Sequence, residues 1–320
     1  MHGVPTDDDR AGRGGPARDT CHALTCNPAP PAVPQTDDPL PRWACTNCGF
    51  WQPHFAAPPD CPVCTDYRHP LPRAGWDFLS EGEAAERFET TWREVLPDVW
   101  AFETAPALGI SPLGWILRTE HGNVSWEGAG WTSSAALDQM EALGGVRFLS
   151  GSHAHVFGSW WRVAERFGPE VVVQSGALPF AQALAVSWPF GAEAELAPGL
   201  RLLHTGGHTE GHSVLHWEAR RLLFCGDAFK FKLDAGGRAT HVSTHKAYDA
   251  HVPLSHDDAR AYRRVFAGLD FDGVVTPWEA VPSGGRAAVL SLLDAQLAGR
   301  PSADWHEIPG GPLPAPPALG

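Results

Sequence analysis

The sequence has no apolar run approaching the roughly 18–20 residues that a membrane-crossing helix needs. Its first residues lack the basic-then-apolar pattern of a secretion signal. Basic residues are in the minority: 24 Lys and Arg stand against 37 Asp and Glu, a formal net charge of −13. Surfaces for nucleic acid or anionic lipid need clustered Lys and Arg, so neither partner is expected. The expectation is a soluble, cytoplasmic protein acting on a small molecule. No internal repeat stands out.

What is present is enough chain for one large domain and a small module: 320 residues, 43% of them hydrophobic. Residues 1–40 are rich in Pro, Gly, Asp and Arg without hydrophobic period and read as a disordered tail containing Cys21 and Cys26. Residues 301–320, ending in PGGPLPAPPALG, read as a flexible tail. Between 76 and 300 strand and helix patterns alternate. LGWILRT and NVSWE read as paired strands about His121-Gly122, and VRFLSGS as a strand running into His153 and His155. SWWRVAERF reads as a helix with Ser159 as N-cap. EVVVQ, LRLLH, SVLHW and RLLFCGD read as further strands. SHDDARAYRRVFAGL opens with Ser255 and an acidic first turn, as helices do.

Four of the seven cysteines form two Cys-x-x-Cys pairs, Cys45/Cys48 and Cys61/Cys64, twelve residues apart. In a cytosolic chain this spacing reads as metal before disulfide. Two turns presenting two thiolates each give the S₄ shell that suits Zn²⁺ or Fe. Residues 41–70 are too short for a core of their own and need such a staple. The segment resembles the rubredoxin-like domain of rubrerythrins and the short zinc ribbons. Zinc there would be a structural clip, whereas iron would make the module an electron carrier with a redox partner. Cys225, inside an apolar strand, reads as buried and inert.

Three further pieces fall at strand ends: His153-Ala-His155, HTGGHTEGH over 204–212, and LLFCGDAF ending at Gly226-Asp227. Imidazoles and a carboxylate arriving from separate strand termini are the ingredients of a catalytic Zn²⁺ or Fe²⁺ site. Their order resembles the metallo-β-lactamase superfamily over roughly residues 90–300. That resemblance implies an α+β chain with an αββα sandwich, preceded by the Cys₄ zinc ribbon. It implies metal ligation by His153, His155, His208 and Asp227, and it aligns Glu127 with the aspartate of the family's Leu-Ile-Asp-x-Gly turn. Two departures stand out: Phe157 and Gly158 occupy the family's Asp and His positions, and Trp278 and Glu279 stand where a last histidine is expected. One metal is therefore expected rather than two.

The resulting expectation is a metal-dependent hydrolase with a mononuclear centre, Asp227 serving as ligand or general base and Tyr248 or His245 assisting. The alternative is an iron oxidoreductase. His153, His208 and Asp227 make a two-histidine, one-carboxylate set, and persulfide dioxygenases of the superfamily use the matching positions. A non-catalytic metal-binding scaffold is the third reading. His204 and His212 read as packing residues, and His241, His245, His251 and His256 as a loop with incidental histidines. Trp131, Trp160 and Trp278 are expected to wall an apolar pocket.

Overall fold

The computed structural model describes residues 40–66, 71–248, 252–300 and 305–319. Cys21, Cys26 and His251 lie outside the described residues, as does the expected tail up to residue 39.

Two sheets carry the large unit, and a period-two pattern explains how they stack. In Glu170–Gln174, Val171 and Val173 join the core under helices α2 (Ser134–Ala142) and α3 (Trp160–Phe167), while Val172 faces the second sheet. In Leu222–Phe224, Leu222 and Phe224 fill the space between the sheets, and Leu223 packs under α4 (His256–Ala267) and α5 (Gly285–Leu297). Side chains thus alternate between an inter-sheet core and a helix-covered face, which makes four layers: helix, sheet, sheet, helix. Burying each such Val, Leu or Phe side chain contributes about 1.5–3 kcal/mol.

The first sheet has seven strands, in the order Trp188–Phe190, Glu170–Gln174, Phe148–Ser150, Val124–Trp126, Gly114–Leu117, Val99–Ala105, Glu89–Leu96. The second has six: Glu193–Ala197, Leu200–His204, Ser213–Trp217, Leu222–Phe224, Gly273–Val275, Ala280–Val281. Chain turns leave Phe148–Ser150 of the first sheet, and Leu200–His204 and Leu222–Phe224 of the second, toward the site described below.

Helix α1 (Glu81–Arg87) has no hydrophobic period; a capping box starts it. The Ser80 hydroxyl accepts from the Glu83 N–H, and the Glu83 carboxylate accepts from the Ser80 N–H. Ser133 and Ser255 cap α2 and α4 with their hydroxyls. Ser159, expected to cap α3, does not: it is fully buried and its hydroxyl donates to Thr132 Oγ1 at 3.0 Å instead.

The Cys module shares its sheet and its core with the rest of the chain. Arg42–Cys45 pairs antiparallel with Trp51–Pro53 and also with Phe78–Ser80. The four cysteines, Phe50 and Val63 sit in one buried cluster with Phe102, Ile116 and Phe157 of the large unit. The C-terminal segment departs from the flexible tail expected of its proline and glycine. His306–Glu307 pairs with Ala239–Ser243, the Leu313 N–H donates to the Ala239 carbonyl, and Ile308 is buried. Its apolar side chains find a groove, and that outweighs a composition typical of linkers. Among the described residues no helix is long and apolar enough to cross a membrane.

Candidate metal centres

In the module, Cys45 Sγ lies 3.9 Å from Cys64 Sγ, and Cys48 Sγ lies 3.7 Å from Cys61 Sγ. Sulfurs bonded to each other would be about 2.05 Å apart. Sulfurs at about 2.3 Å from one tetrahedral ion are separated by roughly 3.8 Å. The four thiols therefore fit a metal and not a disulfide. Their mutual hydrogen bonds drive the Cys45 thiol well below the ordinary thiol range and push Cys48 and Cys64 up. The Asn47 amide donates to Cys64 Sγ at 3.5 Å.

The second cluster assembles from both sheets. His153, His208 and Asp227, all buried, bring donor atoms within 4.8 Å of one another. Asp227 Oδ2 is 3.4 Å from His208 Nε2 and 3.7 Å from His153 Nε2. Ligands at about 2.0–2.1 Å from a tetrahedral ion stand roughly 3.4 Å apart, so these three fit one metal. Hydrogen bonds on the far side of each ring aim the imidazoles. His208 Nδ1 donates to the His245 carbonyl at 3.2 Å, which leaves Nε2 as the acceptor atom. The Ser152 hydroxyl donates to Glu127 Oε1 at 2.7 Å, so it accepts from His153 Nδ1 at 2.9 Å. Glu127 is completely buried and holds φ at +58°, unusual for a residue with a side chain. Burial pushes its carboxyl pKa well up, partly offset by the Ser152 bond. A Glu127–Ser152–His153 hydrogen-bonded chain thus stands behind the first of the three donors, and the sequence had singled out Glu127 but not Ser152.

The remaining sequence candidates take other places. His155 is not among the donors within 4.8 Å; its ring centroid is 5.5 Å from that of His153, and it lines a cavity. Asp227 accepts at its backbone carbonyl from the Tyr248 hydroxyl at 3.3 Å. Burial raises the Tyr248 pKa, keeping the phenol a donor. The His245 ring is buried 4.8 Å from that of Tyr248. His212 packs beside His153 and His208, with Nδ1 2.6 Å from Thr205 Oγ1, while His204 Nε2 donates to the Glu210 carbonyl. His241 lies on a strand and His256 opens α4, neither in a donor cluster among the described residues. Cys225 is fully buried and burial raises its pKa.

Where the resemblance calls for a second metal's Asp and His, core packing stands instead. Phe157 is buried and stacks on Trp160 at 4.3 Å, in the same cluster as the four cysteines. Gly158 has φ +50°, and a Cβ there would lie 2.0 Å from the Ala129 carbonyl oxygen, so no histidine fits. Trp278 lies under the Lys230 ammonium, 4.7 Å from Nζ to the ring centroid. Burial raises the pKa of Glu279, which accepts from the Thr276 hydroxyl. The expected pocket walls also differ: Trp131 packs tilted against Trp51 and edge-on to Trp161, and it does not line the cavity beside His153.

Comparison with protein-family models matches the Metallo-beta-lactamase superfamily over residues 143–272, a stretch containing His153, His155, His208 and Asp227. The Bacillus subtilis (strain 168) protein called "Uncharacterized protein YmaE" is 24% identical over 224 residues, covering 67% of this chain and 80% of that one. Among solved structures, the chain is similar to the metallo-beta-lactamase FIM-1 from Pseudomonas aeruginosa in its mono-zinc form. That similarity has a TM-score of 0.48 at 12% identity, over 65% of this chain and 96% of that one. A metallo-beta-lactamase from Pontibacter korlensis gives 0.45 at 19% identity, over 64% and 99%. Residues 143–272 thus match the Metallo-beta-lactamase superfamily model, and a four-cysteine module of zinc-ribbon type lies at their N-terminal side.

Proposed function

We propose that the protein is a metal-dependent hydrolase with a single catalytic metal, acting on a small molecule in the cytoplasm. The carrying observation is the trio His153, His208 and Asp227, whose buried donors lie within 4.8 Å and at separations suited to one ion. A Zn²⁺ ion with three protein ligands and an open position supplies a bound water whose pKa falls from about 15.7 toward roughly 7.

The chain's own residues do the rest. Ser152 and the His245 carbonyl fix the tautomers of His153 and His208. Asp227 offers a second carboxylate oxygen that can take a proton from an attacking water. Tyr248, protonated and held at the Asp227 backbone, is a donor near the reacting group. His155 faces the cavity and is placed to hydrogen-bond a substrate. The test is elemental analysis of the purified full chain together with ester, lactone and thioester substrates. Hydrolysis that falls with removal of the metal supports the reading; a large unit that binds no metal contradicts it.

One observation favours a second reading. The trio is a two-histidine, one-carboxylate set without His155, the donor pattern of non-haem Fe(II) oxygenases. Iron in both sites would then let the Cys₄ module pass electrons. Ferric iron in four thiolates is red and zinc is colourless, so a colourless, zinc-only preparation contradicts this second reading.

A further inference from the structure

The proposed hydrolysis makes no use of the Cys₄ module, yet Val63 and Asp66 of the module line a pocket that His153, one of the three donors, also lines. We propose that the knuckle Cys61–Cys64 is the inner wall of that pocket, and that Val63 selects which molecules reach the metal. This rests on reading His153, His208 and Asp227 as a metal site.

The module is fixed to the large unit at several points. The Trp51 indole N–H donates to the Gly130 carbonyl at 2.7 Å, and its ring packs at 5.6 Å on Trp131 and 5.5 Å on Trp161. Arg42 lies 4.3 Å over Trp161 and pairs with Glu165 at 2.5 Å. At the other knuckle the backbones nearly touch: a Cβ on Gly109, whose φ is +64°, would lie 2.2 Å from the Cys48 carbonyl carbon. A tethered, swinging electron carrier would need few such contacts. This module is a wall.

The wall bounds a cavity of about 170 Å³. Val63 and Asp66 line it from the module, His153 and His155 from the turn after Phe148–Ser150, and Ala177 and Phe180 from the turn after Glu170–Gln174. Val63 sits between Cys61 and Cys64, and the Thr65 N–H closes the turn onto the Cys61 carbonyl at 3.0 Å. An ion gripping both sulfurs therefore fixes Val63 where no ordinary loop would be equally stiff. Val63, Ala177 and Phe180 offer an apolar surface. Asp66 and the exposed Glu210 add carboxylates to the lining. The pocket suits a compact, neutral or cationic ligand with one apolar group, and disfavours polyanions.

Zinc release through the pocket tests this without any substrate. The full chain, loaded with zinc, is mixed with 1,10-phenanthroline, a flat neutral chelator, and retained zinc is measured after timed desalting. H153A, which should keep only the Cys₄ zinc, identifies the phase belonging to the module. Narrowing the pocket by V63F or by A177L should slow loss from the His/Asp site about tenfold. Widening it by V63A should speed that loss, with the module phase unchanged. The A177L arm carries the test if V63F fails to fold. If every folded variant releases this zinc at the wild-type rate, the wall has no selecting role and the inference is overturned. A wild-type chain that takes up one zinc, and no second, overturns the underlying metal site instead. The two failures are therefore distinguishable.

Discussion

The two donor clusters differ in composition and are opposite in design. The Cys₄ cluster is a closed shell: four sulfurs, buried, surrounded by Phe50, Phe78 and Phe102. The His/Asp cluster has three donors, of which His153 lines a cavity, and its imidazoles are aimed from behind by Ser152 and the His245 carbonyl. A shell with all positions taken by protein can stabilise but cannot bind a substrate, whereas three ligands leave a position for water. The difference teaches where the chemistry belongs. Phe157, at the position where the resemblance calls for a second metal's aspartate, packs in the core that holds the cysteines.

The largest expected effects pull the two sites apart. C61S removes a ligand from the closed shell and should lower stability by roughly 5 kcal/mol, read by thermal unfolding with and without zinc. H153A should abolish metal binding in the large unit and all activity while keeping one metal per chain and most of the stability. If both variants lose the same stability, the contrast between clip and working site breaks.

A smaller effect concerns the missing second site. Restoring the superfamily's ligands by F157D with G158H should bind no additional metal, since a side chain at 158 meets the Ala129 carbonyl. It should cost roughly 2–4 kcal/mol in strain and lost packing, read by denaturant unfolding and elemental analysis. Uptake of another ion by this variant would show that the second half was merely vacated rather than rebuilt.

Smaller again are changes behind the first ligand. S152A or E127Q should weaken zinc binding at the His/Asp site by about 10–100-fold, in chelator competition, with the Cys₄ zinc unaffected. S152T, which keeps the hydroxyl, should restore most of the affinity.

How much of this was legible in the sequence follows the same division. Cys45, Cys48, Cys61 and Cys64 announce themselves by spacing, and a local turn suffices to bring each pair together. His153, His208 and Asp227 were legible because strand ends carry them, and strands were readable from runs such as VVV and RLLF. The relay through Ser152 was not, because Glu127 lies 25 residues away in sequence and meets it only across paired strands. The docked segment 305–319 and the capping box of α1 escaped for different reasons. Proline-rich composition masks a docking segment, while Ser80-x-x-Glu83 was a readable signal that a search for hydrophobic period passes over. Ser159 shows the converse: a good local cap signal lost to a buried tertiary partner.

A further predicted effect is in pH. Burial raises the Glu127 pKa in the folded protein. Its stabilising contribution is therefore full below the unfolded value of about 4.3 and is lost as pH rises toward the folded value. Metal-free protein should lose stability relative to E127Q across that window, by up to ~1.4 kcal/mol per pH unit. Parallel stability–pH curves for the two proteins would contradict the shift.

The most direct test of the central claim, one closed structural metal and one open catalytic metal, is anomalous X-ray diffraction from crystals of the purified chain, collected at the zinc and iron edges. The account predicts one peak among the four cysteine sulfurs and one among His153 Nε2, His208 Nε2 and Asp227, with none beside Phe157 or Trp278. A pair of peaks in the large unit, or none there, would contradict it.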